Sequence, residues 1–297
     1  MSKIIAKSRL SDEVFRMEVE APFVARERKA GQFVIVQADS EYGERIPLTI
    51  ADADVARGTV TLVFQTVGAS THALALKKPG DEIVLLGPLG NPTHIERFGW
   101  AVCVGGGIGL APLYPIVQAL KAAGNLVTVI SGARTKDLLI MQKEIAALAD
   151  EHLVVTDDGS AGRKALVTEP LKELCGRSPK PDIAVAIGPP IMMKFCAEAT
   201  RPFGVHTLVS LNTIMIDGTG MCGGCRVSVG GQTKFVCVDG PEFDGHLVDW
   251  DLMMSRLKSY KKLEDEAHER CHLEEAAERL AAAAPGSAGQ AKEGVAR

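Results

Sequence analysis

The sequence lacks any apolar run long enough to cross a membrane. Its longest, such as AVAIG at 184–188, fall far short of the roughly 20 residues a spanning helix needs. It also lacks a basic field. The net charge is −4 and no Lys/Arg run stands out, so neither nucleic acid nor an anionic membrane surface is an expected partner. The opening stretch MSKIIAKSRLSDEVF has no continuous apolar core and no small-residue cleavage site. The cytoplasm is therefore the expected compartment. No internal repeat is present. Cysteine is not organised for a disulfide framework, because there are seven and only three cluster. What remains is ordinary globular composition, 46% apolar and 24% charged, over 297 residues, enough for two or three domains.

The fold class expected is multidomain, α/β and β, with the organisation changing near residue 99. Residues 1–98 carry short runs such as VFRMEVEA, QFVIVQAD and TVTLVFQTV, several alternating apolar and polar, with turn signals between them. That is the pattern of an antiparallel β-barrel, with one helix-like insertion, STHALALKK, after Gly68. Residues 99–208 alternate buried-type strands with helices: WAVCVGG, APLYPIVQALKAAG, LVTVISG, KDLLIMQKEIAALAD and onward to PDIAVAIG, PPIMMKFCAEATRPFG and HTLVS. This alternation predicts a parallel sheet covered on both faces. Residues 209–262 form a glycine-rich module running into a helix. Residues 263–297 read as a helical, then disordered, tail.

Four stretches carry chemistry in the first two domains. VGGGIGLAPLYP follows a strand and opens a helix, the context in which glycines let backbone N–H groups approach a pyrophosphate. Its pattern is Gly105, Gly107-x-Gly109-x-x-Pro112; a tight turn without a ligand would also use it. IGPPIMM supplies Gly188, Pro189 and Met192, or simply breaks a strand into a helix. ERIPLTIAD supplies Arg45, Pro47, Leu48 and Thr49; a guanidinium fork matches phosphate geometry, but a lone arginine beside a strand can equally be solvated. VGASTHAL places Gly68, Ser70 and Thr71 at a strand-to-helix junction, as phosphate donors or as an ordinary N-cap. Asp157 and Asp158 lie in a loop at the C-terminal strand edge, and Arg134 ends the second strand of this domain, where an adenosine ribose would lie. These residues do not decide between NAD(H) and NADP(H). No general base is nominated.

The cysteine cluster follows. Plant-type [2Fe–2S] sites have the spacing C-x4-C-x2-C…C. Cys222-x2-Cys225 and then Cys237 fit the later positions, and the first position is Asp217. A carboxylate can ligate iron, although it is harder than thiolate. Zinc held by three cysteines and an aspartate is the rival, which would make the chain a non-redox module. A thioredoxin-type dithiol fits worse, because RVSVGGQTKFVCV reads as a hairpin turning at Gly230-Gly231.

Together these segments resemble the ferredoxin reductase superfamily, and within it the reductase subunits that carry FAD and [2Fe–2S]. The Gly107-x-Gly109-x-x-Pro112 turn, the Gly-Pro-Pro segment, with Ile187 where the family has cysteine, and the Arg45 motif all match that superfamily. The similarity spans about residues 3–260, and its most specific part runs from SLNTIMIDGTGMCGGC to CVDGPEFDGHLVDWD. The Asp217 form is similar to the small subunits of NADH-dependent reduced ferredoxin:NADP oxidoreductases and to sulfide dehydrogenase subunits; dihydroorotate dehydrogenase electron-transfer subunits are cousins, normally with cysteine there. The resemblance implies FAD on the barrel, held at its pyrophosphate by Arg45, NAD(H) or NADP(H) on the 99–208 domain, and a cluster at the C-terminal module. It also implies a larger flavoprotein partner with [4Fe–4S] clusters, ferredoxin served indirectly, and electron bifurcation. Service to dihydroorotate or sulfide oxidation is the alternative.

Overall fold

A computed structural model describes residues 1–41, 43–267 and 269. The expected tail beyond 263 therefore lies mostly outside the described residues. The first unit is a closed barrel of six antiparallel strands: β1 (Ser2–Arg9), β2 (Val14–Glu20), β3 (Phe33–Gln37), β4 (Arg45–Asp54), β5 (Thr59–Gln65) and β6 (Glu82–Leu89), in the order β1-β2-β5-β4-β3-β6. Closure leaves no free sheet edge. Helix α1 (Pro22–Glu27) starts on a proline, which suits a first turn, and α2 (Ala69–Leu76) is the insertion after Gly68. Val34, Val36, Ile50, Leu62 and Phe64 fill the interior.

The second unit is a parallel sheet. Its strands are β7 (Trp100–Gly106), β8 (Leu126–Ala133), β9 (Glu151–Thr156), β10 (Arg163–Lys164), β11 (Ile183–Ile187) and β12 (His206–Ser210), joined through α3 (Leu110–Ala122), α4 (Gln142–Leu148), α5 (Thr168–Cys175) and α6 (Pro190–Thr200). The order β10-β9-β8-β7-β11-β12 reverses direction at β7, so a crevice opens beyond the C-terminal ends of β7 and β11. The near-continuous burial of β7 and β11 follows from helices covering both faces.

The third unit contributes β13 (Arg226–Val229), β14 (Gln232–Phe235), α7 (Val236–Asp239), β15 (Glu242–Asp244) and α8 (Trp250–Leu257). Strand β15 pairs antiparallel with β12, Ser210 opposite Glu242, so the C-terminal module closes the edge of the sheet. Strand β3 is buried on both sides: Val34 and Val36 face the barrel interior, while Phe33 and Ile35 pack in one cluster with Cys225, Val227, Val236 and Cys237. None of the described helices is long and apolar enough to cross a membrane.

Two sequence expectations need correction. The helix expected from Lys136 is broken. A short turn at Lys136–Leu138 gives way to Met141 at φ 53, and α4 starts only at Gln142. The core under α3 draws in Ile140 and Met141 together, and this tertiary burial overrides local helix propensity. The hairpin expected through Val238 ends at Phe235. Strand alternation would put Val236 and Cys237 on opposite faces, yet both are buried while Val238 is exposed, as a helical turn requires. The Asp239 carboxylate closes that turn by accepting the Phe235 N–H at 2.6 Å.

Candidate active site and cluster module

The glycine turn and the Gly-Pro-Pro segment meet at the crevice. A methyl group on Gly109 would stand 2.2 Å from the Ile187 carbonyl oxygen, and one on Gly106 2.3 Å from the Met192 sulfur. Glycine at these two places lets the turn after β7 lie against the end of β11 and the start of α6. Gly105 packs under Leu110 and Leu113, whereas Gly107, at φ 54, has open space where a side chain would go. Pro112 sits in the first turn of α3, where a missing N–H costs nothing. A cavity of about 700 Å³ opens here, lined among others by Gly106, Gly107, Arg134, Asp157, Pro189 and Met192. Gly188, Gly109 and Pro112 stand behind this wall rather than in it. Asp158 also lies outside it; its carboxylate accepts two hydrogen bonds from Ser160, and these hold its pKa below the ordinary value.

The cavity has walls that the sequence patterns did not pick out. Val14 and Gln65 reach it from the barrel, and Leu166, Lys172, Ile191 and Phe195 from α5, α6 and the turn before α5. Ile191 and Phe195 are half exposed, at 48% and 50%. Their helical spacing near a proline start was the available signal, but a core stripe has the same spacing.

On the barrel, Ile46, Leu48 and Ile50 pack inward, so Arg45, Pro47 and Thr49 share the outer face of β4. Leu48 can thus offer a ligand its backbone but not its side chain. In α2 the Thr71 hydroxyl accepts the Val67 and Gly68 N–H groups at 3.0 and 3.1 Å, a capping role, and the Ser70 hydroxyl donates to the Glu44 carboxylate. The first turn of α2 keeps the N–H groups that every helix start leaves without intrahelical acceptors. These flavin-motif residues lie apart from the 700 Å³ cavity.

The third site is the loop from Asp217 to Cys225. Gly218, Gly220 and Gly223 all have positive φ, which winds the chain tightly and turns successive N–H groups inward. The Cys225 and Cys237 sulfurs stand 3.2 Å apart and buried; Cys222 is exposed, its sulfur accepting the Gly224 N–H at 3.5 Å. The Asp217 carboxylate accepts the Thr219 and Cys222 N–H groups at 2.9 and 2.5 Å, and these bonds hold its pKa below the usual carboxylate value. Burial and the neighbouring thiol push Cys237 up to about 12. Among the described residues, no three His, Cys, Asp or Glu side chains already converge as a metal-holding group. The donor set nevertheless fits an iron–sulfur cluster: soft thiols and one carboxylate on a glycine loop whose N–H groups satisfy anionic ligands. Just ahead of the loop, Thr213 buries a hydroxyl with no hydrogen-bond partner among the described residues. A methyl on Gly218 would lie 2.6 Å from Leu89 and 2.9 Å from Ile35, so the loop presses directly on β6 and β3. Ile35 is the register partner of Pro47.

A closed antiparallel barrel, a parallel sheet with a glycine crevice and a cysteine module on its edge define an oxidoreductase of the ferredoxin reductase type. Residues 103–198 match the oxidoreductase NAD-binding domain, and residues 212–249 match the iron–sulfur cluster binding domain of dihydroorotate dehydrogenase B. The chain is 52% identical over 271 residues to a dihydroorotate dehydrogenase B (NAD(+)) electron transfer subunit homolog of Thermotoga maritima, covering 91% of this chain and 95% of that one. It is 35% identical to the electron transfer subunit of dihydroorotate dehydrogenase B of Bacillus caldolyticus, with 80% and 94% covered. A solved structure of NADH-dependent reduced ferredoxin-NADP oxidoreductase, described for flavin-based electron bifurcation, superposes with TM-score 0.86 at 50% identity, covering 91% of this chain and 97% of that one. The chain belongs to the family of dihydroorotate dehydrogenase B-type electron-transfer subunits. It is an NAD-binding oxidoreductase with an iron–sulfur module.

Proposed function

We propose that this chain is the small subunit, carrying FAD and [2Fe–2S], of an electron-bifurcating NADH-dependent ferredoxin:NADP oxidoreductase, working in the cytoplasm. The observation that carries this reading is the shared wall. The cluster loop packs on Ile35 and Leu89, and the next strand over, β4, bears the Arg45, Pro47 and Thr49 face. The two redox sites are thereby adjacent within one chain.

Arg45 would grip the flavin pyrophosphate with its guanidinium fork, opposite the N–H groups of the Gly68–Thr71 turn. Gly107 and the start of α3 would hold the pyrophosphate of NAD(H) or NADP(H), with Gly105 and Gly109 shaping the turn behind them; Arg134 and Asp157 border the adenosine side, and Asp158 follows just outside the cavity. Gly188, Pro189 and Met192 set the nicotinamide side of the crevice. Asp217, Cys222, Cys225 and Cys237 are the cluster ligands. FAD, when bound, takes two electrons from the nicotinamide together and releases them singly, which a one-electron cluster requires. The chain's own task is to orient these groups and exclude water.

The chain's partner is a larger flavoprotein with [4Fe–4S] clusters, and ferredoxin is served through that partner. Absorbance, iron and zinc analysis of the purified protein test the reading: flavin and two irons per chain are expected, and a colourless zinc protein would sink it. The match of residues 212–249 to the dihydroorotate dehydrogenase B cluster domain favours a second reading, service to dihydroorotate oxidation. Co-purification decides between the two, because recovery with a dihydroorotate-oxidising subunit defeats the first.

A further inference from the structure

One half-buried carboxyl lies outside all three sites. The Glu242 carboxyl, at the start of β15, accepts a hydrogen bond from the Thr93 hydroxyl at 2.6 Å. Both press against the backbone of Gly31. A methyl there would lie 2.2 Å from the Thr93 hydroxyl and 3.0 Å from the Glu242 carboxyl. Three segments therefore converge: Gly31 leads into β3, Thr93 belongs to the connection between barrel and sheet, and Glu242 belongs to the cluster module.

The connection stitches these parts together. The Asn91 N–H donates to the Gly240 carbonyl at 2.7 Å and its side chain to the Val238 carbonyl at 3.0 Å. On the barrel side, the Thr93 N–H donates to the Ala30 carbonyl at 2.9 Å and Gln32 donates to the Gly90 carbonyl at 2.8 Å. Val238 is the residue after Cys237. The five steps from Cys237 to Glu242 could span at most about 17 Å if fully extended, and the helical turn at Val236–Asp239 shortens this.

No cation meets the carboxyl. Among the described residues Glu242 makes no ion pair. The Cys103 thiol on β7 is kept neutral by burial. Asp244, two residues along β15, is itself engaged with His206 and His246 at 3.7 and 3.8 Å. A desolvated carboxylate with a single hydroxyl donor is poorly stabilised, and burial pushes Glu242 up to about 7.

We propose that Glu242 is the proton-uptake site coupled to reduction of the neighbouring iron–sulfur cluster. The inference rests on the cluster reading above. An electron arriving on the cluster adds negative charge nearby, which disfavours the carboxylate and draws one proton from solvent onto Glu242. Reoxidation releases it. The three cysteine ligands carry no proton once bound, and the Asp217 carboxylate is already engaged by two backbone N–H groups, whereas the carboxyl at the module joint has a single hydroxyl donor.

The test is the cluster midpoint potential between pH 6 and 8.5, followed by EPR on the full-length protein, for wild type, Glu242→Gln and Thr93→Ala. In wild type the potential should fall as pH rises, by about 59 mV for each tenfold shift in Glu242 acidity that reduction produces. Glu242→Gln should flatten this dependence with iron content unchanged. Thr93→Ala removes the one donor to the carboxylate, so the same dependence should move to higher pH; it keeps the question answerable if Glu242→Gln does not fold. A flat wild-type profile, or a Glu242→Gln or Thr93→Ala profile like wild type, overturns the proposal alone. A wild-type protein without iron overturns the cluster reading, and the proposal with it.

Discussion

The glycine turn after β7 and the glycine loop before Cys225 use the same residue for opposite ends. In the first, Gly109 lies directly against the Ile187 backbone at the end of β11 and Gly106 against Met192, so the crevice is shaped by packing within the sheet domain. In the second, positive φ at Gly218, Gly220 and Gly223 winds a loop whose donors are held together only in part. Cys225 and Cys237 touch, while Asp217 is occupied with backbone N–H groups and Cys222 is exposed. The crevice is a property of the sheet; the cluster site is a property of the loop and its ligand together.

The largest effect should come from the loop. Cys225→Ser or Cys237→Ser should reduce bound iron to less than a tenth while flavin is retained, because both thiols sit buried at the centre of the donor set. Asp217→Ala should also lose or destabilise the cluster with flavin still bound. Unchanged iron and an unchanged EPR spectrum would return Asp217 to a purely structural role.

The joint between the two regions should show itself in stability against pH. Glu242 is raised from 4.5 to about 7 in the folded protein, so the native state holds its proton more tightly than the unfolded chain. That stabilisation is complete below about pH 4.5 and is lost as pH rises through about 7, amounting to on the order of 3 kcal/mol. Urea midpoints measured at pH 5 and 8 should differ in wild type and converge in Glu242→Gln.

In the crevice, Gly109→Ala meets a backbone carbonyl and should cost about 1–3 kcal/mol. Its NADH affinity should fall at least tenfold by titration. Gly106→Ala meets the flexible Met192 side chain and should cost less than about 1 kcal/mol. Equal losses in the two variants would mean that the close approach of Gly109 to the end of β11 does not shape the crevice.

These regions also differed in how far the sequence disclosed them. The sheet was legible because strand and helix periods alternate from Trp100 to Ser210, and the glycine turn stands where the period changes. The candidate ligand set Asp217, Cys222, Cys225 and Cys237 came from spacing, and the structure brings Cys225 and Cys237 into contact. Strand β15 was not, since three residues carry no period, and its place on the sheet depends on register with β12. The break at Met141 and the helical turn at Val236–Asp239 were set by burial, which local pattern does not report. The Thr93–Glu242 contact joins positions 149 residues apart and had no local signature. Resemblance implied a flavin role for β4; the structure added that Arg45, Pro47 and Thr49 share its outer face while Leu48 turns inward.

The most direct test of the account is anaerobic titration of the purified chain with NADH, followed by visible absorbance and EPR. Bleaching of the flavin band and the appearance of a reduced [2Fe–2S] signal are expected in the same protein. A protein with no flavin band and no iron signal, carrying zinc at Cys222, Cys225 and Cys237, would contradict it.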